Sequence, residues 1–243
     1  MRGQLAKSDF GYCVPLDAPL YTPFPVYYED VTMLVFPYAT SAEAALRLLP
    51  EQFDLAPVPG NADGTLASAM VMFAQYRFSS VGPYNEVAQV IFARYRGPMP
   101  AGASADVGFA VRLDVDSGVA MAFGREVGGF PKKMGHISFE SAQAYAVALD
   151  SPKGLRICSG ELMPLAKLGD LPAPNVLPFA SVRVLPNPSS SSAPFAPSVC
   201  QVVYTEWVQT QGTFWSARGA LSLTGASALN PYHTLPIVQA APP

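Results

Sequence analysis

The sequence predicts an α+β fold that is predominantly antiparallel β-sheet, with a few short helices. Proline accounts for 25 of the 243 residues, about twice the usual share of roughly 5%, and proline interrupts a long helix. Apolar residues make up 50% of the chain, and many of them occur in short runs typical of strands. Many strands at similar spacing indicate a sandwich or a barrel that is closed or nearly closed.

Nine segments have the length and the alternating or continuous apolar pattern of a strand. In chain order they are Met70–Phe78, Ala88–Tyr95, Val107–Val115, Gly135–Phe139, Tyr145–Leu149, Leu155–Leu162, Ser181–Leu185, Val199–Val208 and Thr213–Leu223. Because a chain of this length can bury a sizeable core, we expect it to fold without a disulfide or metal staple.

Two short helices interrupt the predicted strands. Thr40 and Glu43, three residues apart, form a capping box before an apolar run that a proline ends. The second helix covers Gly118–Val127, where Asp116 or Ser117 can cap the first turn. A Gly-Gly pair and a proline follow it and end the helix.

The stretch Leu185–Ser198 is rich in proline and serine and is typical of a long surface loop. A domain linker would have the same composition, but the strands predicted after it are too few to build a separate core. We therefore expect a single domain over residues 1–243.

The charge balance disfavours several classes of partner. Charged residues make up 14% of the chain and the net charge is −3, so a polycationic surface for nucleic acid is not expected. No apolar run approaches the roughly 18 to 20 residues that cross a bilayer. The charged Met1–Asp9 segment does not resemble a signal peptide. We expect a cytoplasmic protein with no nucleic-acid or membrane partner.

The cysteines and histidines give no pattern of metal ligation. Cys13, Cys158 and Cys200 are an odd number without Cys-x-x-Cys spacing, and His136 and His233 lie far apart. We expect buried free thiols and no metal site.

Two adjacent lysines, Lys132 and Lys133, are the best candidates for covalent chemistry. They end the run Gly-Arg-Glu-Val-Gly-Gly-Phe-Pro-Lys-Lys, which begins at Gly124. Because side chains alternate along a strand, one amine can point into the barrel while the other points elsewhere. An amine in apolar surroundings beside a second cation has a lowered pKa and becomes nucleophilic near neutral pH. Two solvated surface cations are the alternative interpretation.

This run resembles the motif of the acetoacetate decarboxylase family, in which Gly-Arg-Glu is followed by an aromatic residue, a proline and two lysines. The resemblance extends over most of the chain, including Tyr84–Glu86 and Leu221–Pro236. It implies the family's β-barrel or cone with a few short helices. It also implies that Lys132 forms an iminium with the substrate, and that Lys133 depresses the pKa of Lys132, an activation known for this family.

The same resemblance implies further parts of the site. Glu86 matches the family's site glutamate, which can orient the substrate or move a proton, although a solvated turn acid is the alternative. Phe130 is expected to line the substrate site. The family acts on small-molecule keto acids without a cofactor and its members are commonly homo-oligomers, so we expect the same of this chain.

Two residues of the family pattern are missing. The family's decarboxylases have an arginine just before the first helix, where this chain has Tyr38 or Ala39. They also have a second glutamate on the strand before the site glutamate, where counting back gives Val71. If Val71 faces the cavity, alternation puts Gln75 and Arg77 on the same face, where either could bind a substrate carboxylate.

The favoured hypothesis is a Schiff-base lyase that decarboxylates a β-keto acid through a lysine iminium and an enamine. Because two polar residues of the pattern are missing, a second hypothesis is aldol condensation, dehydration or cyclisation through the same iminium. A third is an apolar barrel that binds a small hydrophobic ligand without turnover.

Overall fold

The computed structural model of the chain describes residues 25–99, 101–170, 175–186 and 197–240. Most of the predicted Leu185–Ser198 loop, the Met1–Asp9 segment and Cys13 lie outside these residues. Within them, strands dominate and the helices are short, which confirms the fold class that the sequence predicts.

The elements follow one another along the chain with short connections. The strands are β1 Tyr28–Ser41, β2 Phe53–Leu55, β3 Leu66–Ser79, β4 Tyr84–Tyr95, β5 Asp106–Val115, β6 Lys132–Met134, β7 His136–Ser141, β8 Tyr145–Asp150, β9 Arg156–Asp170, β10 Asn175–Pro186, β11 Pro197–Gln209, β12 Thr213–Ser222 and β13 Gln239–Ala240. The helices are α1 Ala42–Leu46 and α2 Gly118–Glu126, with a 3-10 turn at Tyr232–Thr234. Among the described residues no helix is long and apolar enough to cross a membrane.

All nine predicted strands are present, but the sequence missed β1, one of the longest. Acidic residues at its start and Pro37 in its middle obscure the apolar alternation. The cap of α1 was also assigned wrongly. The Ser41 hydroxyl accepts from the Ala44 amide at 3.3 Å, whereas Thr40 still belongs to β1 and is buried. For α2, Ser117 is the cap, one of the two predicted residues.

The strands of the described ranges form two sheets. The large sheet has the strand order β11-β10-β5-β4-β3-β1-β13, with β2 beside β4 and β6 beside β5. The small sheet has the order β12-β9-β8-β7. Pairing is antiparallel except that β5 runs parallel to both β6 and β10. The predominantly antiparallel pairing that the sequence predicts is therefore confirmed.

Side-chain alternation gives the large sheet two different apolar faces. The face toward the small sheet forms an intersheet core that includes Phe36, Val71, Phe73, Leu149 and Ile157. The opposite face forms what we call the inner core. Its buried members are Met70, Met72, Ala74, Tyr76, Tyr84, Ala88, Val90, Ala110, Leu113, Val115 and Ala120.

The large sheet curls around the inner core. The ring of Tyr28 at one end of the sheet stacks on Trp207 of β11 at the other end, with centroids 5.3 Å apart and planes inclined by 21°. The sheet is therefore a half-barrel, and the inner core lies inside its curl. The single-domain assignment over residues 1–243 stays a prediction.

Candidate active site

Lys132 is placed by the turn that joins α2 to β6. Gly129 has φ +68, a left-handed conformation that favours glycine and ends the helix. Pro131 cannot extend the helix, so the chain enters β6, where Lys132 lies opposite Leu113 of β5 in a parallel pair. This register turns the Lys132 side chain toward the inner core, where only 6% of the residue is exposed.

Glu86 of β4 meets Lys132 there. The Lys132 Nζ and the Glu86 Oε2 lie 2.6 Å apart, and Glu86 is 3% exposed. The glutamate lies opposite Ala74 of β3, on the face that the inner core covers. A buried charged pair is stable only while each partner compensates the other, so the two side chains form one electrostatic unit.

Aromatic rings surround this pair. Lys132 Nζ lies 5.3 Å from the ring centroid of Tyr84, within the range of a cation–π contact. The ring of Tyr76 lies 4.6 Å from that of Tyr84 and 5.8 Å from that of Trp207. Tyr28 completes the group, 4.9 Å from Tyr76. The ion pair therefore lies beside aromatic groups with polar edges.

The Gly-Arg-Glu run has a geometric basis. A Cβ at Gly124 would lie 2.6 Å from the Lys132 Cε and 3.2 Å from its Nζ, so the α2 backbone must lack a side chain there. Arg125 is exposed, and its Nη1 donates to the Lys132 carbonyl at 3.1 Å. The first residue of the run makes room for the lysine side chain, and the second fixes the lysine backbone.

Gly124→Ala is expected to displace Lys132 and lower activity. Alanine ordinarily stabilises a helix interior relative to glycine by about 0.5–1 kcal/mol, but here overpacking should cost about 1–3 kcal/mol. A displacement of about 1 Å should slow turnover by about 100-fold. The measurements are steady-state activity and thermal unfolding. Gly118→Ala is the matched control, because a Cβ at Gly118 of the same helix meets open space; equal behaviour of the two variants would contradict this packing account.

Lys133 diverges from Lys132, as the alternation of a strand requires. Its side chain is exposed, and its Nζ donates to the carbonyl oxygen of Leu229. Its charge also reaches Asp114, the residue opposite it in β5. The structure therefore does not direct the Lys133 ammonium toward the Lys132–Glu86 pair.

A buried polar network that the sequence did not reveal lies beside β6. Asp114 is 1% exposed and accepts hydrogen bonds from the Asn230 Nδ2 at 2.5 Å and the Tyr232 Oη at 2.9 Å. Burial raises the pKa of Asp114 to about 6. Those hydrogen bonds and the positive charge of Lys133 act in the opposite direction and offset part of this increase. These contacts fix residues 229–232 against the large sheet.

Asp114 is expected to make the free energy of unfolding depend on pH. Its pKa is raised in the folded chain, so between about pH 4 and 6 the folded state holds a proton that the unfolded state has released. The stability should then fall by about 3 kcal/mol as pH rises through this window and level off above it. Urea unfolding of the wild type and of Asp114→Asn measures the slope. Parallel slopes for the two proteins would refute the assignment.

Two of the predicted substrate contacts lie elsewhere. Gln75 lies on β3 between Ala74 and Tyr76, two members of the inner core, so alternation directs its side chain to the other face. Arg77, on the same face as Gln75, is exposed and pairs with the Asp30 Oδ1 at 3.0 Å. The structure does not bring either residue to Lys132.

The two residues missing from the family pattern also have defined positions. Val71 belongs to the intersheet core, so the condition on which Gln75 and Arg77 would face the cavity is not met. The β3 residues on the same face of the sheet as the ion pair are Met70, Met72, Ala74 and Tyr76. None of them has a carboxylate side chain. Tyr38 is buried in the intersheet core, where its hydroxyl accepts from the Gln89 Nε2 at 2.8 Å.

Phe130 lies on the expected side. It is partly buried against the inner core, and the Lys132 amide donates to its carbonyl at 2.8 Å. Sequence reasoning missed Tyr28, Tyr76 and Trp207. Tyr76 continues the alternation of Met70, Met72 and Ala74 along β3, and this pattern could have identified it. The other two come from distant strands that only the curl of the sheet brings together.

The chain is similar to several known proteins. Residues 14–241 match the family model for acetoacetate decarboxylase (ADC). An acetoacetate decarboxylase from Chromobacterium violaceum is 27% identical over 240 residues, 94% of this chain and 86% of its own length. The crystal structure of acetoacetate decarboxylase from Legionella pneumophila has a TM-score of 0.73 at 21% identity, covering 100% of this chain and 91% of that one. The enduracididine biosynthesis enzyme MppR, complexed with the condensation product of pyruvate and imidazole 4-carboxaldehyde, has a TM-score of 0.68 at 18% identity, covering 93% and 86%.

Proposed function

The chain belongs to the acetoacetate decarboxylase family, and from that premise we propose that it decarboxylates a β-keto acid through a Schiff base on Lys132. Family membership makes it an acetoacetate decarboxylase-like lyase; the covalent step and its residues are the proposal. The observation that supports it is the Lys132–Glu86 pair, 2.6 Å apart and almost fully buried beside aromatic rings.

The mechanism begins with proton transfer within this pair. Glu86 takes a proton from the Lys132 ammonium, and the free amine attacks the keto carbon. Loss of water gives a cationic iminium. Electrons from the bond to the β-carboxylate flow into this iminium, carbon dioxide leaves, and an enamine remains. Glu86, which takes up a proton from solvent, then gives that proton to the enamine carbon, after which water hydrolyses the new iminium and frees the ketone.

The apolar surroundings favour the bond-breaking step. The iminium and the substrate carboxylate are two charges, whereas carbon dioxide and the enamine are neutral. Because burying charge in apolar surroundings is costly, the inner core favours the neutral products over the charged intermediate. No cofactor is needed in this scheme, because the iminium itself accepts the electrons.

A specific observation favours a second candidate, aldol condensation followed by dehydration or cyclisation. The β3 side chains on the ion pair's side are Met70, Met72, Ala74 and Tyr76, so β3 offers no carboxylate there. An enamine formed on Lys132 would then meet a wall without a carboxylate, and such a wall suits a second, uncharged carbonyl compound. The complex of MppR with a condensation product shows that a protein of similar fold binds such a molecule.

One experiment separates the two reactions. The protein is incubated with acetoacetate, and separately with pyruvate and an aromatic aldehyde. Release of carbon dioxide and acetone from acetoacetate supports the decarboxylase, and consumption of the aldehyde supports the condensation. Neither reaction, together with no covalent adduct, would support the third hypothesis of a binding protein. The electrostatic role of Lys133, the homo-oligomeric state and the cytoplasmic location stay predictions.

A further inference from the structure

Tyr76 has an unusual position in the aromatic group beside Lys132. It is 1% exposed, lies on the inner-core face of β3, and pairs across the sheet with Tyr84. Its hydroxyl lies close enough to the Glu86 carboxylate to interact with it, but among the described residues it makes no hydrogen bond of normal geometry. Buried polar groups are nearly always hydrogen-bonded, and an unpaired hydroxyl is costly to the folded state. A group of this kind within a candidate site indicates an interaction that the bound substrate supplies.

The surroundings of the hydroxyl decide which role it can take. Burial, and the nearby negative charge of Glu86, raise the pKa of Tyr76 well above its ordinary value. The hydroxyl therefore stays protonated near neutral pH and is suited to donate a proton or a hydrogen bond. Glu86 Oε2 forms the ion pair with Lys132. Among the described residues it accepts no hydrogen bond of normal geometry.

We propose that the Tyr76 hydroxyl donates to the carbonyl oxygen of the substrate while Lys132 attacks the carbonyl carbon. This inference rests on the proposed Schiff-base function and adds a catalytic residue to it. It also replaces Gln75 and Arg77 as the polar contact that β3 supplies to the substrate. A neutral donor of this kind suits a ketone or aldehyde oxygen in an enclosure where a second charge would be costly.

Lys132, Glu86 and Tyr76 together account for every proton that moves during iminium formation. The Lys132 ammonium carries three hydrogens and the final iminium nitrogen carries one, so two protons must reach the oxygen that leaves as water. Glu86 takes each proton from the nitrogen, Tyr76 gives its own proton to the oxygen, and Glu86 reprotonates Tyr76. The nitrogen–carbon bond forms, the carbon–oxygen bond breaks, and no other reactant is required.

Tyr76→Phe tests this role because it removes only the hydroxyl. With acetoacetate as the probe, the rate of borohydride-trapped adduct formation is expected to fall by about 100-fold, within the range for a general acid. The loss of oxygen-18 from labelled acetone to water should slow by a similar factor. The melting temperature should stay close to that of the wild type, because the hydroxyl that the variant loses makes no hydrogen bond of normal geometry among the described residues.

The matched control is Tyr38→Phe, which removes a buried hydroxyl on the opposite face of the same sheet. It should trap the adduct at the wild-type rate. A Tyr76→Phe rate within twofold of the wild type would overturn the inference while leaving Lys132 chemistry intact. Absence of an adduct in the wild type itself would instead overturn the proposed function.

Discussion

Lys132→Met is expected to abolish covalent trapping and to lower kcat by a factor on the order of 10⁴ or more, as removal of a covalent nucleophile does. The reason is that Lys132 has the amine that lies inside the inner core, 2.6 Å from Glu86. Steady-state release of carbon dioxide from acetoacetate measures the loss.

A controlled comparison separates lost chemistry from lost structure. Lys132→Met leaves the Glu86 charge buried and unpaired, which should cost about 3–5 kcal/mol of stability. Lys132→Arg retains the positive charge but supplies no free amine, and the double change Lys132→Met/Glu86→Leu removes both charges. Both controls should be more stable than Lys132→Met, and neither should be active. Wild-type turnover in any folded Lys132 variant would contradict the covalent mechanism.

Glu86→Gln is expected to lower kcat by about 10²–10⁴-fold, the usual contribution of a general acid or base. Glutamine preserves the shape of the side chain but cannot accept the proton that Lys132 must lose before it attacks. Borohydride trapping in a single turnover should therefore also slow. Losses of this size would show that Glu86 transfers protons in the reaction in addition to its ion pair with Lys132.

The control for Glu86→Gln is Glu161→Gln on β9, which neutralises an exposed carboxylate of the small sheet. It should leave activity and trapping within about twofold of the wild type, because exposed charges are well solvated. A Glu86→Gln enzyme with an unchanged trapping rate would show that another group removes the proton from Lys132.

Much of this site could be predicted from local sequence. The end of the helix before Pro131 and the strand after it were both predicted from the sequence around Lys132. The divergence of Lys132 and Lys133 follows from the period of two in a strand. Local patterns were informative here because the whole run, from Gly124 to Lys133, is one continuous segment that covers the end of α2, the turn after it and the start of β6.

The substrate contacts predicted on β3 were wrong because they depended on how β3 pairs with β4. Counting back from Glu86 put the missing second glutamate at Val71, and Gln75 and Arg77 were candidates only if Val71 faced the cavity. In the structure β3 and β4 pair so that Glu86 lies opposite Ala74, which puts Val71 on the other face. A shift of one residue moves every side chain to the other face, so the assignment of Gln75 and Arg77 failed with that of Val71.

Long-range contacts were also out of reach of the sequence. Tyr28 and Trp207 stack because the large sheet curls, and no local pattern specifies that curl. The hydrogen bonds from Asn230 and Tyr232 to Asp114 join segments more than a hundred residues apart. No local pattern identifies a partner for Asp114, so neither its burial nor its raised pKa could be predicted.

The most direct test of the central claim is to identify the residue that forms the Schiff base. The protein is incubated with acetoacetate, reduced with borohydride, digested with chymotrypsin and sequenced by tandem mass spectrometry. The account predicts an isopropyl group on Lys132, the reduced product of the acetone iminium, and an unmodified Lys133. An adduct on Lys133 or on another lysine, or no adduct while carbon dioxide is released, would contradict it.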